Sequence, residues 1–449
     1  MKRCFIGTDV GTTGTKSMLF CEDGRLLAHA YAAYPMATPS VDRCEQDAED
    51  WWRAMVQTVR AVVREADAAD CVAGISLSLQ GGTLVPVDAK LRPLRPAIVW
   101  SDRRCAAEMA AFGERFGTDY LYERSGWSLS TGLNALQIAW LRANEPEVFR
   151  ATDKFLSVPD YLSAKLTGRA ALDISDAGIN QLADIRTATY DPAILAFAGI
   201  DERQLGEIVP SGAVIGTLTD AAKAELGLTG NVALSAGAHD QYAALLGAGV
   251  TEAGDVLFGT GTAWVVTALT DRPNFESGFA QSVSAVPGKW GSLVSLSTGG
   301  VSLDWLRANV ARGDVDSEKI SYRALDAEAE RRGAGANGLM FYPSFSGGSY
   351  PLRDECSKAS FVGLDLSHDR FDMARAVMEG VAYQTVWTLA AFDREYGRKR
   401  LKMSGGATKS AVWTQIVADI ANRPVSIPET PDLTCVGAAI LAGVGCGAF

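Results

Sequence analysis

Gly7-Thr8-Asp9-Val10-Gly11-Thr12-Thr13-Gly14-Thr15-Lys16 follows an apolar pair, Phe5-Ile6, and runs into a second apolar stretch over residues 17–21. That order dictates two strands joined by a glycine/threonine turn. An Asp23-Gly24 turn and residues 26–34 extend them to a three-stranded antiparallel meander. The turn has enough glycine and threonine for backbone amides and hydroxyls to crowd around an anion, with Lys16 adding a point charge. The same residues also make an ordinary tight hairpin, and the turn alone does not choose between the two. It is not a Walker loop, because the G-x-x-x-x-G-K-S/T spacing is absent and the flanks read as two strands. Asp9, at the strand end, is placed to hold a magnesium ion through water, since magnesium prefers one or two carboxylates plus phosphate oxygens.

Downstream, Trp52, Met55, Val59 and Val62 or Val63 recur at helical spacing over residues 49–65, and residues 72–79 form a buried strand. Meander, helix, strand is the opening of an α/β lobe. The grammar returns over residues 255–269, strand, turn, strand, where Phe258-Gly259-Thr260-Gly261-Thr262 repeats the glycine/threonine chemistry. A long amphipathic helix over 371–396 then leads to an apolar run and Gly405-Gly406. The architecture is thus duplicated, with lobes at 1–244 and 245–449 meeting near the glycine-rich stretch 247–254. A length of 449 residues suits two such domains.

Two further segments carry chemistry. Met403-Ser404-Gly405-Gly406-Ala407-Thr408-Lys409 is a strand end entering a helix near Ser410, and its paired glycines let adenine or a phosphate approach the backbone. In Ala236-Gly237-Ala238-His239-Asp240-Gln241, an apolar strand over 232–234 ends in small residues before a helix, which sets Asp240 at the carboxyl edge of a sheet, where open α/β folds bind ligands. Residue type alone favours a helix cap there over a catalytic base.

Bulk properties narrow the classes. The formal charge is −11 with no run of Lys or Arg, so nucleic acid and anionic membrane are poor partners. Eight cysteines without a C-x-x-C pair suggest free thiols, and three histidines (His29, His239, His368) leave little material for a metal hydrolase or a Ser-His-Asp triad. The apolar fraction of 47% contains no stretch of membrane-spanning length, and Met-Lys-Arg leads into the first strand without a signal-peptide pattern, so the expectation is a cytoplasmic protein.

Together these segments resemble the FGGY family of carbohydrate kinases, over essentially the whole chain. The most specific match is Ala359-Ser360-Phe361-Val362-Gly363-Leu364 through Asp372-Met373 to Ala376-Val377-Met378-Glu379-Gly380, which satisfies the family's C-terminal signature. Trp51-Trp52, Pro96-Ala97-Ile98-Val99-Trp100-Ser101-Asp102, Asn144-Glu145-Pro146-Glu147-Val148-Phe149 and Pro159-Asp160-Tyr161-Leu162 are similar to the xylulokinase branch. The resemblance implies two ribonuclease H-like lobes of the actin/hexokinase type around a central cleft, ATP and Mg2+ as cofactors, a small sugar or polyol as substrate, and by family habit a homodimer. It implies Asp240 as the catalytic base and Asp9 as the metal residue. Thr12, Thr13 and Lys16 fall near the transferred phosphoryl group, Thr260 and Gly261 at the phosphates, Gly300 and Asp304 along the nucleotide, and Gly405 and Gly406 beside the adenosine. Ser78, Leu79, Gln80, Trp100, Asp102 and Gln241 fall on the sugar side.

The departures bear on substrate. Leu79-Gln80 replaces the Met-His pair of xylulokinases, Gln241 is more like glycerol kinase, and Gly347-Gly348-Ser349-Tyr350-Pro351 replaces a charged Gly-Glu-Arg-x-Pro loop. Gln137 stands where the family usually has lysine, and the chain stops at Phe449, where relatives continue through further helices. The expected activity is therefore ATP-dependent phosphorylation of a ketopentose such as xylulose. A polyol or another ketose (glycerol, erythritol or ribulose type) is the alternative within kinases, and a non-catalytic ATP-binding protein of the same fold the alternative outside them.

Overall fold

The computed structural model describes residues 3–296, 298–311, 320–348, 350, 354, 356–430 and 432–449. The readings attached to Met1, Lys2, Ser349 and Pro351 lie outside the described residues. The chain forms two compact units that are discontinuous in sequence: Met1–Gly249 with Asp271–Gly291 and Asp432–Phe449, and Val250–Thr270 with Ser292–Pro431.

In the first unit the meander forms as expected, with strands Cys4–Val10, Gly14–Cys21 and Leu26–Ala33. They are the antiparallel half of a six-stranded sheet. On its other edge Cys4–Val10 pairs in parallel with Val72–Leu79, which pairs in parallel with Ala233–His239, and Val214–Thr217 closes the sheet antiparallel. Side-chain alternation gives the sheet two different faces. Ile6, Val10 and Leu19 pack with Trp51, Met55 and Val59 of helix Ala48–Glu65 in one core. Met18 and Phe20 meet Cys435 and Ala439 of helix Leu433–Gly445. Helix Ala48–Glu65 starts where the Asp47 side chain accepts from the Glu49 amide, and Glu49 and Asp50 suit the positive end of its dipole. Its largest anchor, Trp51, is fully buried and contributes about 2–3 kcal/mol on the usual area scale.

The compact units differ from the expected lobes at 1–244 and 245–449 in that the last helix belongs to the first unit. Leu433–Gly445 packs against strands Cys4–Val10, Val72–Leu79 and Ala233–His239 and against helix Asp240–Gly247. The approach is backbone to backbone: a Cβ on Gly7 would stand 1.8 Å from the Cys435 carbonyl oxygen, and one on Gly437 would stand 1.9 Å from that of Ala243. No window of local sequence carries that contact.

The second unit repeats the pairing logic of the first. Strand Val256–Thr260 is antiparallel to Trp264–Thr270 and parallel to Leu401–Gly405, which is parallel in turn to Val425–Ser426. The long helix runs from Arg370 to Tyr396 behind a reciprocal cap between Asp369 and Asp372. Gly380 on that helix lies against the Phe341 backbone, where a Cβ would come within 2.1 Å of the carbonyl oxygen. Among the described residues no helix is long and apolar enough to cross a membrane.

Candidate active site

Strand register assembles the first unit's polar site. Asp9 lies opposite Ser78, and Ser78 opposite Ala238, on three neighbouring strands. The Ser78 hydroxyl donates to Asp9 Oδ1 over 2.9 Å, and the Thr434 hydroxyl bonds the same carboxyl group. Burial, and after it the negative charge of Asp240, push the Asp9 carboxyl up to about 6.

Two residues beyond Ala238, Asp240 opens helix Asp240–Gly247. The expected strand over 232–234 extends to Ala233–His239, because its small residues let it lie flush on its neighbour; a Cβ on Gly237 would stand 1.5 Å from the Leu77 carbonyl oxygen. His239 is the N-cap and Asp240 the first helical residue, so the cap reading of Asp240 does not hold. Its Oδ1 is buried without a hydrogen-bond partner, and His239 Nε2 stands 3.4 Å from it. Gln241 follows, half-buried.

Lys16 acquires a partner the sequence reading did not contain. Its ammonium bonds Asp432, 2.6 Å away at the head of the last helix. Burial works against the charged form of Lys16, but Asp432 more than offsets this and the pKa is raised. Asp432 and Asp9 both act on the Lys16 ammonium, and the charge of Asp240 acts on Asp9, a surplus of negative charge that suits a divalent cation. Among the described residues no cluster of three or more His, Cys, Asp or Glu could hold a metal.

Gln80 is buried at the end of an amide chain whose orientation the neighbours fix. Trp51 Nε1, only a donor, points at Gln46 Oε1 over 3.2 Å, and Gln46 Nε2 donates to the Thr12 carbonyl over 2.6 Å. Gln80 must then turn its Nε2 to Gln46 Oε1, at 3.1 Å, which leaves Gln80 Oε1 buried with no donor. Trp100, half exposed, donates its Nε1 to Thr12 Oγ1 at 3.1 Å. Thr13 is exposed and offers its carbonyl to the Tyr34 amide.

Two residues expected on the sugar side have their side chains engaged elsewhere. The Asp102 carboxylate is fully consumed: it accepts from the Cys44 amide at 2.7 Å and from the Arg104 guanidinium at 2.7 and 2.8 Å, with no exposed side-chain surface. It organises Arg104, which also bonds Glu45, and offers no free oxygen to a ligand. Leu79 packs its side chain into the apolar core with Ile75 and Leu77.

The second unit brings together most of the residues expected at the nucleotide. Thr260 pairs with Gly405; its hydroxyl donates to the Ser404 carbonyl over 2.6 Å and accepts from the Ala407 amide at 3.3 Å. The Gly300 amide donates to the Gly261 carbonyl at 3.1 Å, which brings helix Gly300–Asn309 onto the hairpin turn. A Cβ on Gly300 would lie 2.7 Å from that oxygen, and Gly405 has φ +100° with Thr260 backbone atoms about its Cβ direction, so both positions require glycine. Gly406 begins the turn before helix Ala411–Ala421, which is capped by the Ser410 hydroxyl. Asp304 is exposed on its helix and accepts from the Tyr322 hydroxyl.

Gln46 and Asp432, which sequence reading missed, carry no local motif, whereas His239 lies in the segment beside Asp240 but had no role there. Asp432 lies 416 residues from the lysine it pairs with.

The chain matches the FGGY family of carbohydrate kinases, N-terminal domain, over residues 4–247, and the C-terminal domain of the same family over 255–446. It is 30% identical to the xylulose kinase of Bacillus subtilis, covering 99% of this chain and 88% of that one. It is 28% identical to the gluconokinase of Bacillus licheniformis, covering 98% and 87%. Among solved structures it is similar to the xylulose kinase from Rhodospirillum rubrum at TM-score 0.91 and 29% identity, with 99% of this chain and 90% of that one covered. The Plasmodium falciparum glycerol kinase with ADP shares the fold at TM-score 0.89 and 20% identity, covering 100% and 90%. The two-domain mixed α/β architecture is that of the actin/hexokinase type. The chain belongs to the FGGY family of carbohydrate kinases.

Proposed function

We propose that the protein transfers the γ-phosphoryl group of ATP to a hydroxyl of an uncharged ketose, a ketopentose such as xylulose in the first instance, with Asp240 as general base. The observation that carries the substrate class is the pair of buried, unpartnered acceptors, Gln80 Oε1 and Asp240 Oδ1. Such atoms cost free energy until a donor reaches them. A ligand rich in hydroxyls supplies donors; an aldonate such as gluconate carries hydroxyls too but adds a carboxylate, for which these two acceptors offer no donor. A polyol satisfies the same two atoms and is the second reading.

Phosphoryl transfer asks the protein mainly to position the attacking hydroxyl and balance charge. Asp240 Oδ1, with His239 Nε2 3.4 Å away, takes the hydroxyl proton as the new O–P bond forms. Asp9, oriented by Ser78 and Thr434, would hold a magnesium ion through water, and the bound ion would balance charge on phosphate oxygens. Lys16 holds Asp432 and with it the start of the last helix. The Gly261, Gly405 and Gly406 backbone, free of Cβ atoms, suits a phosphate and an adenosine.

Coupled ADP-release measurements across ketopentoses, ketohexoses, polyols and gluconate test the reading. Turnover is expected with one ketose or polyol and not with gluconate, and Asp240→Asn is expected to lower kcat by about 100-fold or more. Wild-type turnover in Asp240→Asn removes the base, and preference for gluconate removes the substrate class.

A further inference from the structure

We propose that Asp173 and Ser175 are positioning residues that fix the backbone carrying Asp240, an inference that rests on Asp240 being the base. The strand Ala233–His239 does not hold its end by ladder bonds alone: its register with Val72–Leu79 shifts between Ser235 and Ala238. His239 then caps the following helix with φ −50° and ψ 140° and without a side-chain cap bond. The link between an irregular ladder and an uncapped helix is where a small backbone shift costs least, and Asp240 is the next residue.

A side-chain tether closes that weak point. The His239 amide donates to Ser175 Oγ over 3.0 Å, and Ser175 Oγ donates to Asp173 Oδ2 over 2.6 Å. The same carboxylate oxygen takes the Ser175 amide at 2.7 Å and the Ser211 hydroxyl at 3.2 Å. A serine hydroxyl has one proton, and here it is committed to Asp173, so the lone pairs face His239 and the direction of the chain is settled. Ser175 is fully buried and Asp173 almost so, where such bonds are least exchanged with water.

Asp176 completes the arrangement. Neither of its oxygens meets a donor, and burial, followed by the charge of Asp173, pushes its carboxyl well above the usual range. The step from Asp173 through Ser175 and His239 to Asp240 thus joins a segment near residue 175 to the base 65 positions on, with no contact to the sugar required.

Loss of the tether is expected to act on the chemical step, since misplacing a reacting group by about 1 Å costs up to about 100-fold in rate. The test uses the full-length protein, Ser175→Ala and Asp173→Asn, with kcat and both KM values measured in the coupled assay and melting followed in parallel. The expected result is a fall in kcat of about tenfold in Ser175→Ala, with KM for ATP within about twofold of wild type. Asp173→Asn, which keeps the volume but weakens the hydroxyl's acceptor, is expected to lose about threefold and is the deciding variant if Ser175→Ala does not fold. Wild-type kcat in Asp173→Asn, or in a folded Ser175→Ala, overturns the tether, as does a loss confined to KM. Asp240→Asn separates the two ideas: full activity there removes the base, whereas an inactive Asp240→Asn beside a fully active Ser175→Ala removes only the tether.

Discussion

Ser78 donates its hydroxyl to Oδ1 of Asp9 across 2.9 Å because the parallel register of their strands sets the two residues side by side. The bond orients a carboxylate that burial would otherwise leave short of donors. In Ser78→Ala, Asp9 keeps the Thr434 bond only, and the magnesium concentration for half-maximal activity is expected to rise about threefold to tenfold. A magnesium titration at saturating sugar and ATP checks this, and an unchanged midpoint separates Ser78 from the metal.

Gln80 tests the substrate class. Gln80→Leu removes the unpartnered Oε1 while keeping an apolar side chain of similar length. Its kcat/KM for the preferred ketose is expected to drop about tenfold, with KM for ATP little altered. Equal loss for both substrates would point to a packing defect instead.

Asp160 gives the stability a defined pH dependence. Its carboxylate accepts the Ser157 amide at 2.6 Å and the Ser157 hydroxyl at 2.8 Å, yet burial outweighs both and raises its pKa from 3.8 to about 6. A folded-state value above the unfolded one means that the proton binds the native protein more tightly. The contribution is therefore fully present below about pH 4 and is lost as pH rises through about 6, on the order of 2–3 kcal/mol. Asp160→Asn, which can still accept both bonds, is expected to flatten that part of the curve. Urea unfolding of both proteins between pH 4 and 7 measures the difference, and parallel curves would refute it.

Gly7 is where the first strand meets the last helix. Gly7→Ala sets a methyl group 1.8 Å from the Cys435 carbonyl oxygen, so the backbone must move. A loss of about 3 kcal/mol or more is expected, with activity falling because Asp432 and Thr434 shift from Lys16 and Asp9. Thermal melting and turnover of the same preparation should fall together; a stable, active Gly7→Ala would show that the helix docks elsewhere.

The elements that follow local rules were legible before any coordinates. Alternation and turn residues gave the opening meander, a period of 3.6 gave helices Ala48–Glu65 and Arg370–Tyr396, and an apolar run gave Val72–Leu79 with its bounds. Asp102 shows the limit. Sequence placed it near the sugar because of the segment it sits in, while the structure commits both its oxygens to Arg104 and to the amide of Cys44, 58 residues earlier.

By itself, the sequence determined the duplicated strand, turn, strand grammar and the family signature, because both are written in residues that lie within a few positions of one another. Only the tertiary structure decided which unit owns the last helix, that Lys16 is held by Asp432, that Gln80 keeps an acceptor free, and that His239 hangs from Ser175. Those depend on backbones that touch where glycine leaves room and on hydrogen bonds between residues 34 to 416 positions apart, a chemistry of proximity that no local spacing encodes.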